Sequence, residues 1–218
     1  GVQTCALPIS PSQLGAFTKS DPSQPWANIQ YHVQPLSLDA FGEPLHNFPA
    51  ITASVCNLNP TSRGSVTLKS PDFKDAPAIA PNYLSTAEDR QVAADSLSIT
   101  RRIVRAPALQ RYAPEEFMPG PQYQTDEELA FAAGNIGTTI FHPVGTCKMG
   151  RAEDGMAVVD AELKVKGVQG LRVVDASVMP VITSGNPNSP IIMIADKTAV
   201  LIRDSRKRRT PASLVTAR

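Results

Sequence analysis

Two short polar stretches near the end of the chain hold the residues best suited to chemistry. His142 sits in F-H-P-V-G-T-C-K-M-G, and Asn186 sits in S-G-N-P-N-S-P just before an apolar run. An imidazole with an ordinary pKa near about 6.5 can accept a proton at neutral pH, so His142 is a candidate general base. Asn186 can hydrogen-bond the oxygen that gives that proton up. Taken alone, His142 reads as a structural loop histidine, and only the second polar loop turns it into half of a site. Asn188 competes with Asn186 for the partner role. Cys147, five residues after His142, also invites a Cys-His nucleophile reading, against which stands an ordinary buried thiol.

These residues need elements to aim them. The stretch between them, V-V-D-A-E-L-K-V-K-G-V-Q-G-L-R-V-V-D-A-S-V-M-P, reads as two short strands and their turns, with Asp175 ending the second strand. Pro143 and Gly145 fix the His142 loop, because proline sets its own φ and glycine permits close backbone approach. After Asn186, Ser189 is the expected N-cap and Pro190 the first residue of a helix whose positive end faces the Asn186 loop.

The motifs together resemble a known family. His142 in H-P-V-G-T-C-K-M-G, Asp175 and Ala176 in G-L-R-V-V-D-A-S-V-M-P, and Asn186 and Pro187 before I-I-M-I-A-D-K are similar to the carboxy-terminal signature of the glucose-methanol-choline (GMC) flavin-dependent alcohol oxidoreductases, in their choline dehydrogenase-like branch. The segment P-T-S-R-G-S-V-T-L, with A-P-A-I-A-P-N-Y-L after it, extends the resemblance over most of residues 27–203. The resemblance implies FAD as cofactor, a small-molecule alcohol as substrate, and oxygen or a quinone-like molecule as electron acceptor. It also implies His142 as base with Asn186 as hydrogen-bonding partner, and FAD contacts from Asp175, Ala176, Asn186 and Pro187. Relatives with a second His at the Asn186 position make Asn a permitted variant. No G-x-G-x-x-G phosphate loop occurs here, so the chain corresponds to the substrate half of such an enzyme, and the fragment alone is expected to be inactive.

The rest of the chain is read from pattern. Ala27–Leu38 alternates apolar and polar residues as a half-buried strand, with Pro35 marking an edge or bulge. Ala50–Leu58 and Ser65–Ser70 are further strands, joined by links too short for helical crossovers, hence antiparallel. Ser85 and Glu88 have capping-box spacing for a helix to about Arg105, with Val92, Ile99 and Ile103 on one stripe and Pro107 ending it. Thr125 and Glu128 repeat the box for a second helix stopping near Gly134–Gly137. The expected fold class is therefore α+β: an antiparallel-rich, substrate-binding sheet flanked by helices, then a segment that completes an FAD domain.

Composition sets the bounds. At 218 residues with 42% hydrophobic residues the chain can bury a real core, and a net charge of +1 argues against an electrostatic nucleic-acid binder. No run of about 18 apolar residues suggests a membrane span. Cys5, Cys56 and Cys147 are too few for a disulfide framework, and His32 and His46 have no cysteine or carboxylate at ligand spacing, so no metal site is expected. A reducing compartment follows as the default, cytoplasmic or peripheral to an inner membrane; the oligomeric state is open. The expected division is residues 1–9 as a translated-adapter artefact, 10–140 as substrate-binding domain, 141–203 as the catalytic segment, and 204–218 as a polar tail. The competing reading is a non-catalytic sheet domain that binds a ligand or partner.

Overall fold

The computed structural model describes residues 12–40 and 42–209. The expectations for residues 1–9, Cys5 included, and for the end of the tail fall outside them. The chain is α+β and divides into two compact units at Ile140/Phe141.

The first unit is built on a three-stranded antiparallel sheet, β1 (Leu14–Thr18), β2 (Ile29–Gln34) and β3 (Thr52–Asn57), in the order β1-β2-β3. In β2 the alternation places Ile29 and Tyr31 on one face, where they are buried with Val92 and Ile99 of helix α1 (Ala87–Val104). The Tyr31 hydroxyl lies 2.9 Å from Thr100 Oγ1, giving the ring's polar tip a partner inside that core. No sequence pattern announces β1: L-G-A-F-T is short, contains a glycine and lies at a sheet edge. The expected third strand forms as β4 (Ser65–Thr67) but pairs only with β5 (Ala78–Ala80), in a separate two-stranded sheet.

The helix caps refine the reading. α1 is capped by Thr86 rather than Ser85, with Thr86 Oγ1 accepting from Asp89 N at 3.2 Å. Ser62 Oγ accepts from the backbone N–H groups of both Ser85 and Thr86. Ile103, placed on the buried stripe by periodicity, is exposed in the last turn. Pro107 does not simply end α1 but opens a short helix, α2 (Pro107–Gln110), where its missing N–H is no loss. α3 (Asp126–Ile136) has the full capping box from Thr125 and Glu128 and stops at Gly137.

Asp89 ties this unit together. Buried to 4% exposure, it accepts hydrogen bonds from Asn57 Nδ2, Thr61 N and Ser62 N, nailing the turn after β3 to the start of α1. Burial pushes its pKa up, but the bonds from Ser62 and Thr61 outweigh it and hold the carboxyl below the usual carboxylate range.

The second unit is less regular. The two strands expected between Val158 and Val174 reduce to isolated bridges, Met149↔Val159, Val159↔Val165 and Lys164↔Arg172. Turns at D-A-E-L and K-G-V-Q-G interrupt any longer ladder, with Leu163, Gly167 and Gly170 all at positive φ. Val159, Leu163 and Val178 are buried at its centre, and Ile194 of helix α4 (Asn188–Arg209) packs on them.

Candidate active site

The His142 loop is held by backbone bonds to a neighbouring turn. Cys147 N donates to Ser177 O at 3.0 Å and Met149 N to Val178 O at 2.8 Å. Those two carbonyls belong to a 3-10 turn, Ala176–Val178, that Asp175 caps by accepting from Ser177 N at 2.8 Å. Asp175 is therefore not the end of a strand but the cap of the turn on which the His142 loop rests. The Ser177 hydroxyl bonds the same Oδ1.

The Asn186 loop is fixed by the helix on its downstream side. α4 begins at Asn188, one residue before the expected cap, and Pro187 O accepts the first helical bond from Ile191 N at 3.0 Å. Ser189 and Pro190 thus lie inside the first turn, where a proline without an N–H fits as well as it would at the first position. Pro187 is buried, while Asn186 is exposed.

The two loops bring their polar residues together. Asn186 Nδ2 lies 3.3 Å from His142 Nε2. The amide nitrogen is a donor only, so in this pair Nε2 accepts and the neutral imidazole carries its proton on Nδ1. Asn188, the competing choice, is an exposed residue at the start of α4. Asp175 and Ala176 lie in the supporting turn rather than in the pair. Cys147 is partly buried and its backbone carries the loop contact.

The other histidines fare differently. His32 lies on β2 with its Nε2 buried, and burial pushes its pKa down. His46 does meet a carboxylate, contrary to the sequence reading. Its Nε2 is 3.3 Å from Asp39 Oδ1 and its Nδ1 is 3.0 Å from Ser37 Oγ, and the ring stacks on Phe48 and meets Phe117 edge-on. Chain reversal within residues 37–46 makes that pairing, which linear spacing does not display. Among the described residues no cluster of three or more His, Cys, Asp or Glu could hold a metal ion, and no helix is long and apolar enough to cross a membrane.

Sequence reasoning also missed the backbone at both loops: Phe141 has φ +62° and Ser184 φ +54°. Neither residue type signals a left-handed conformation, so no pattern could have found them.

Comparison with known proteins gives this geometry relatives. The GMC oxidoreductase sequence profile matches residues 60–195. An oxygen-dependent choline dehydrogenase from Chromohalobacter salexigens is 41% identical over 88% of this chain and 34% of its own length. One from Pseudomonas fluorescens is 45% identical over 88% of this chain and 33% of its own. Among solved structures, pyridoxine 4-oxidase from Mesorbium loti superposes with a TM-score of 0.76 at 28% identity, covering 87% of this chain and 37% of that one. The chain spans about a third of the length of the curated relatives it matches. On the strength of the profile match and these identities, the chain belongs to the GMC oxidoreductase family.

Proposed function

We propose that the chain is the substrate-side, carboxy-terminal part of an FAD-dependent alcohol oxidoreductase, with residues 10–140 contributing the substrate-binding domain and 141–203 the catalytic segment. The observation that carries the reading is the pair at 3.3 Å, a hydrogen-bond donor on Asn186 next to an acceptor on His142. A hydroxyl group is both donor and acceptor. An alcohol oxygen entering between them donates its proton to His142 Nε2 and accepts from Asn186 Nδ2, exchanging one hydrogen bond for two.

His142 then takes the hydroxyl proton as the carbon-bound hydrogen leaves with its electron pair, so the alcohol carbon becomes a carbonyl. Bound FAD supplies the acceptor for that hydride. Asn186 holds the oxygen throughout and keeps the reacting carbon in place. The residues present fit one side of such a cofactor. Both hydrogen bonds that cap the 3-10 turn use Asp175 Oδ1, leaving Oδ2 to accept from a cofactor hydroxyl, with Ala176 small beside it. The start of α4 presents backbone N–H groups just after Asn186 and Pro187, an environment that favours negative charge.

Choline is the first alcohol to test, since the relatives at 41% and 45% identity are choline dehydrogenases described as oxygen-dependent, which also makes oxygen the first electron acceptor to try. The test is made in the full-length enzyme carrying this segment. His142→Gln should lower alcohol turnover about 10²- to 10⁴-fold, the usual worth of a positioned general base. Turnover within about twofold of the parent would remove His142 from the base role. The 218-residue chain alone should bind FAD weakly or not at all, because it lacks a phosphate loop; yellow protein that keeps its flavin through desalting would contradict this.

A further inference from the structure

The second unit also holds a cleft of about 680 Å³ whose lining includes neither the His142 loop nor the Asn186 loop. Its walls are the turns of residues 160–172 and Ser205 of α4. Three cations line it, Lys164, Lys166 and Arg172, against the two carboxylates of Asp160 and Glu162. The isolated bridge Lys164↔Arg172 sets two of those cations directly opposite each other, an unfavourable arrangement that an anion between them would relieve.

The carboxylates meet that demand only in part. Asp160 Oδ1 is committed to its own turn, accepting from Glu162 N at 2.8 Å and from Lys164 N at 2.9 Å. Glu162 Oε2 is close to Lys164 Nζ but 3.9 Å from Arg172 Nη2, too far for a hydrogen bond. Arg172 Nη2 is buried and has no hydrogen-bond partner among the described residues, so a charged donor carries its desolvation cost uncompensated. The guanidinium is nevertheless fixed in place, because Arg172 Nε donates to Glu162 O at 3.0 Å. Lys166 Nζ donates to the carbonyls of Arg151 and Asp154, which hold it without cancelling its charge.

We propose that this cleft is an oxyanion site for a phosphate group, with Lys164 and Arg172 as its ligands, Lys166 as added charge, and the Glu162 carboxylate as the group that the phosphate displaces. A phosphate has more acceptor oxygens and more charge than a carboxylate. It can therefore meet an ammonium and one arm of a guanidinium together, where Glu162 reaches only the first. The Glu162 side chain is already 45% exposed, and its turning out to solvent opens Arg172 Nη2 to the cleft. Nothing in this site depends on the roles of His142 and Asn186.

The test is a titration of the ¹⁵N-labelled 218-residue chain with inorganic phosphate at fixed ionic strength, read from the amide shifts of Lys164, Lys166 and Arg172. Saturable shifts are expected. Glu162→Gln removes the competing charge and should tighten binding about fivefold, whereas Lys164→Met should weaken it about fivefold. Lys69→Met, which takes an equal charge from the first unit, should leave the affinity unchanged. A gain in affinity cannot come from misfolding, so Glu162→Gln decides even where Lys164→Met does not fold. Shifts that never saturate, an affinity unmoved by Glu162→Gln, or an equal loss in Lys69→Met and Lys164→Met overturns the proposal. Vesicles containing phosphatidic acid separate two sources of the same group. Cosedimentation that inorganic phosphate reverses assigns a lipid headgroup, and saturable phosphate binding without cosedimentation assigns a soluble phosphorylated molecule.

Discussion

The two units solve the problem of holding a loop in opposite ways. Up to Ile140 the chain relies on regular ladders, capped helices and a buried carboxylate: Asp89 gathers the turn after β3 with charge-assisted bonds in a dry setting. From Phe141 onward no ladder among the described residues is longer than one bridge, and loops are held by backbone bonds and by the carboxylates of Asp154, Asp160 and Asp175, each accepting from N–H groups of its own turn. The first strategy stores stability in a few groups. The second spreads small terms over many, which suits a place where direction of a side chain matters more than energy.

Removing Asp89 should expose the contrast most strongly. Asp89→Ala leaves buried donors on Asn57, Thr61 and Ser62 without an acceptor, which costs on the order of 3 kcal/mol or more. Urea unfolding followed by far-ultraviolet circular dichroism measures it. A loss under about 1 kcal/mol would mean that the turn is held by the rest of the sheet and that the units differ less than their bonding suggests.

A milder change at the same residue tests the charge. The folded pKa of Asp89 lies below its ordinary value, so its contribution is present in full above the unfolded carboxylate pKa and is lost as pH falls through the folded one. Unfolding free energy followed from about pH 6 to about pH 3 should fall less steeply in Asp89→Asn than in the unsubstituted chain. Parallel acid slopes would show that the bonds matter but the charge does not.

Much of the first unit was legible in the residues. Alternation in β2 announced its buried face, and the Thr125/Glu128 box appears with both of its reciprocal bonds because two polar groups three residues apart can satisfy each other locally. Position by one residue was not legible: Ser85 and Thr86 are both good cap types and no local pattern separates them, yet Thr86 does the capping. In the second unit the motifs pointed to His142 and Asn186, yet their hydrogen bond spans 44 residues and no local pattern encodes it. The strands expected there failed because apolar alternation cannot show where turns interrupt a ladder, and the role of Asp175 as a cap depended on a turn that three residues, A-S-V, do not advertise.

The smallest predicted effects come from two caps of similar strength in the two units. Thr125→Ala removes the side-chain acceptor at the start of α3 and should cost about 1 kcal/mol, felt at the first turn of that helix. Asp175→Ala removes a comparable cap, again about 1 kcal/mol, from a turn of only three residues. Its consequence should differ, because Ser177 O and Val178 O of that turn accept the bonds from Cys147 and Met149 that hold the His142 loop. Amide exchange at Cys147 and Met149 should therefore quicken in Asp175→Ala by more than the change in global stability accounts for, while exchange in α3 of Thr125→Ala should quicken mainly near its first turn. Unchanged protection at Cys147 and Met149 would show that the His142 loop is held independently of the turn.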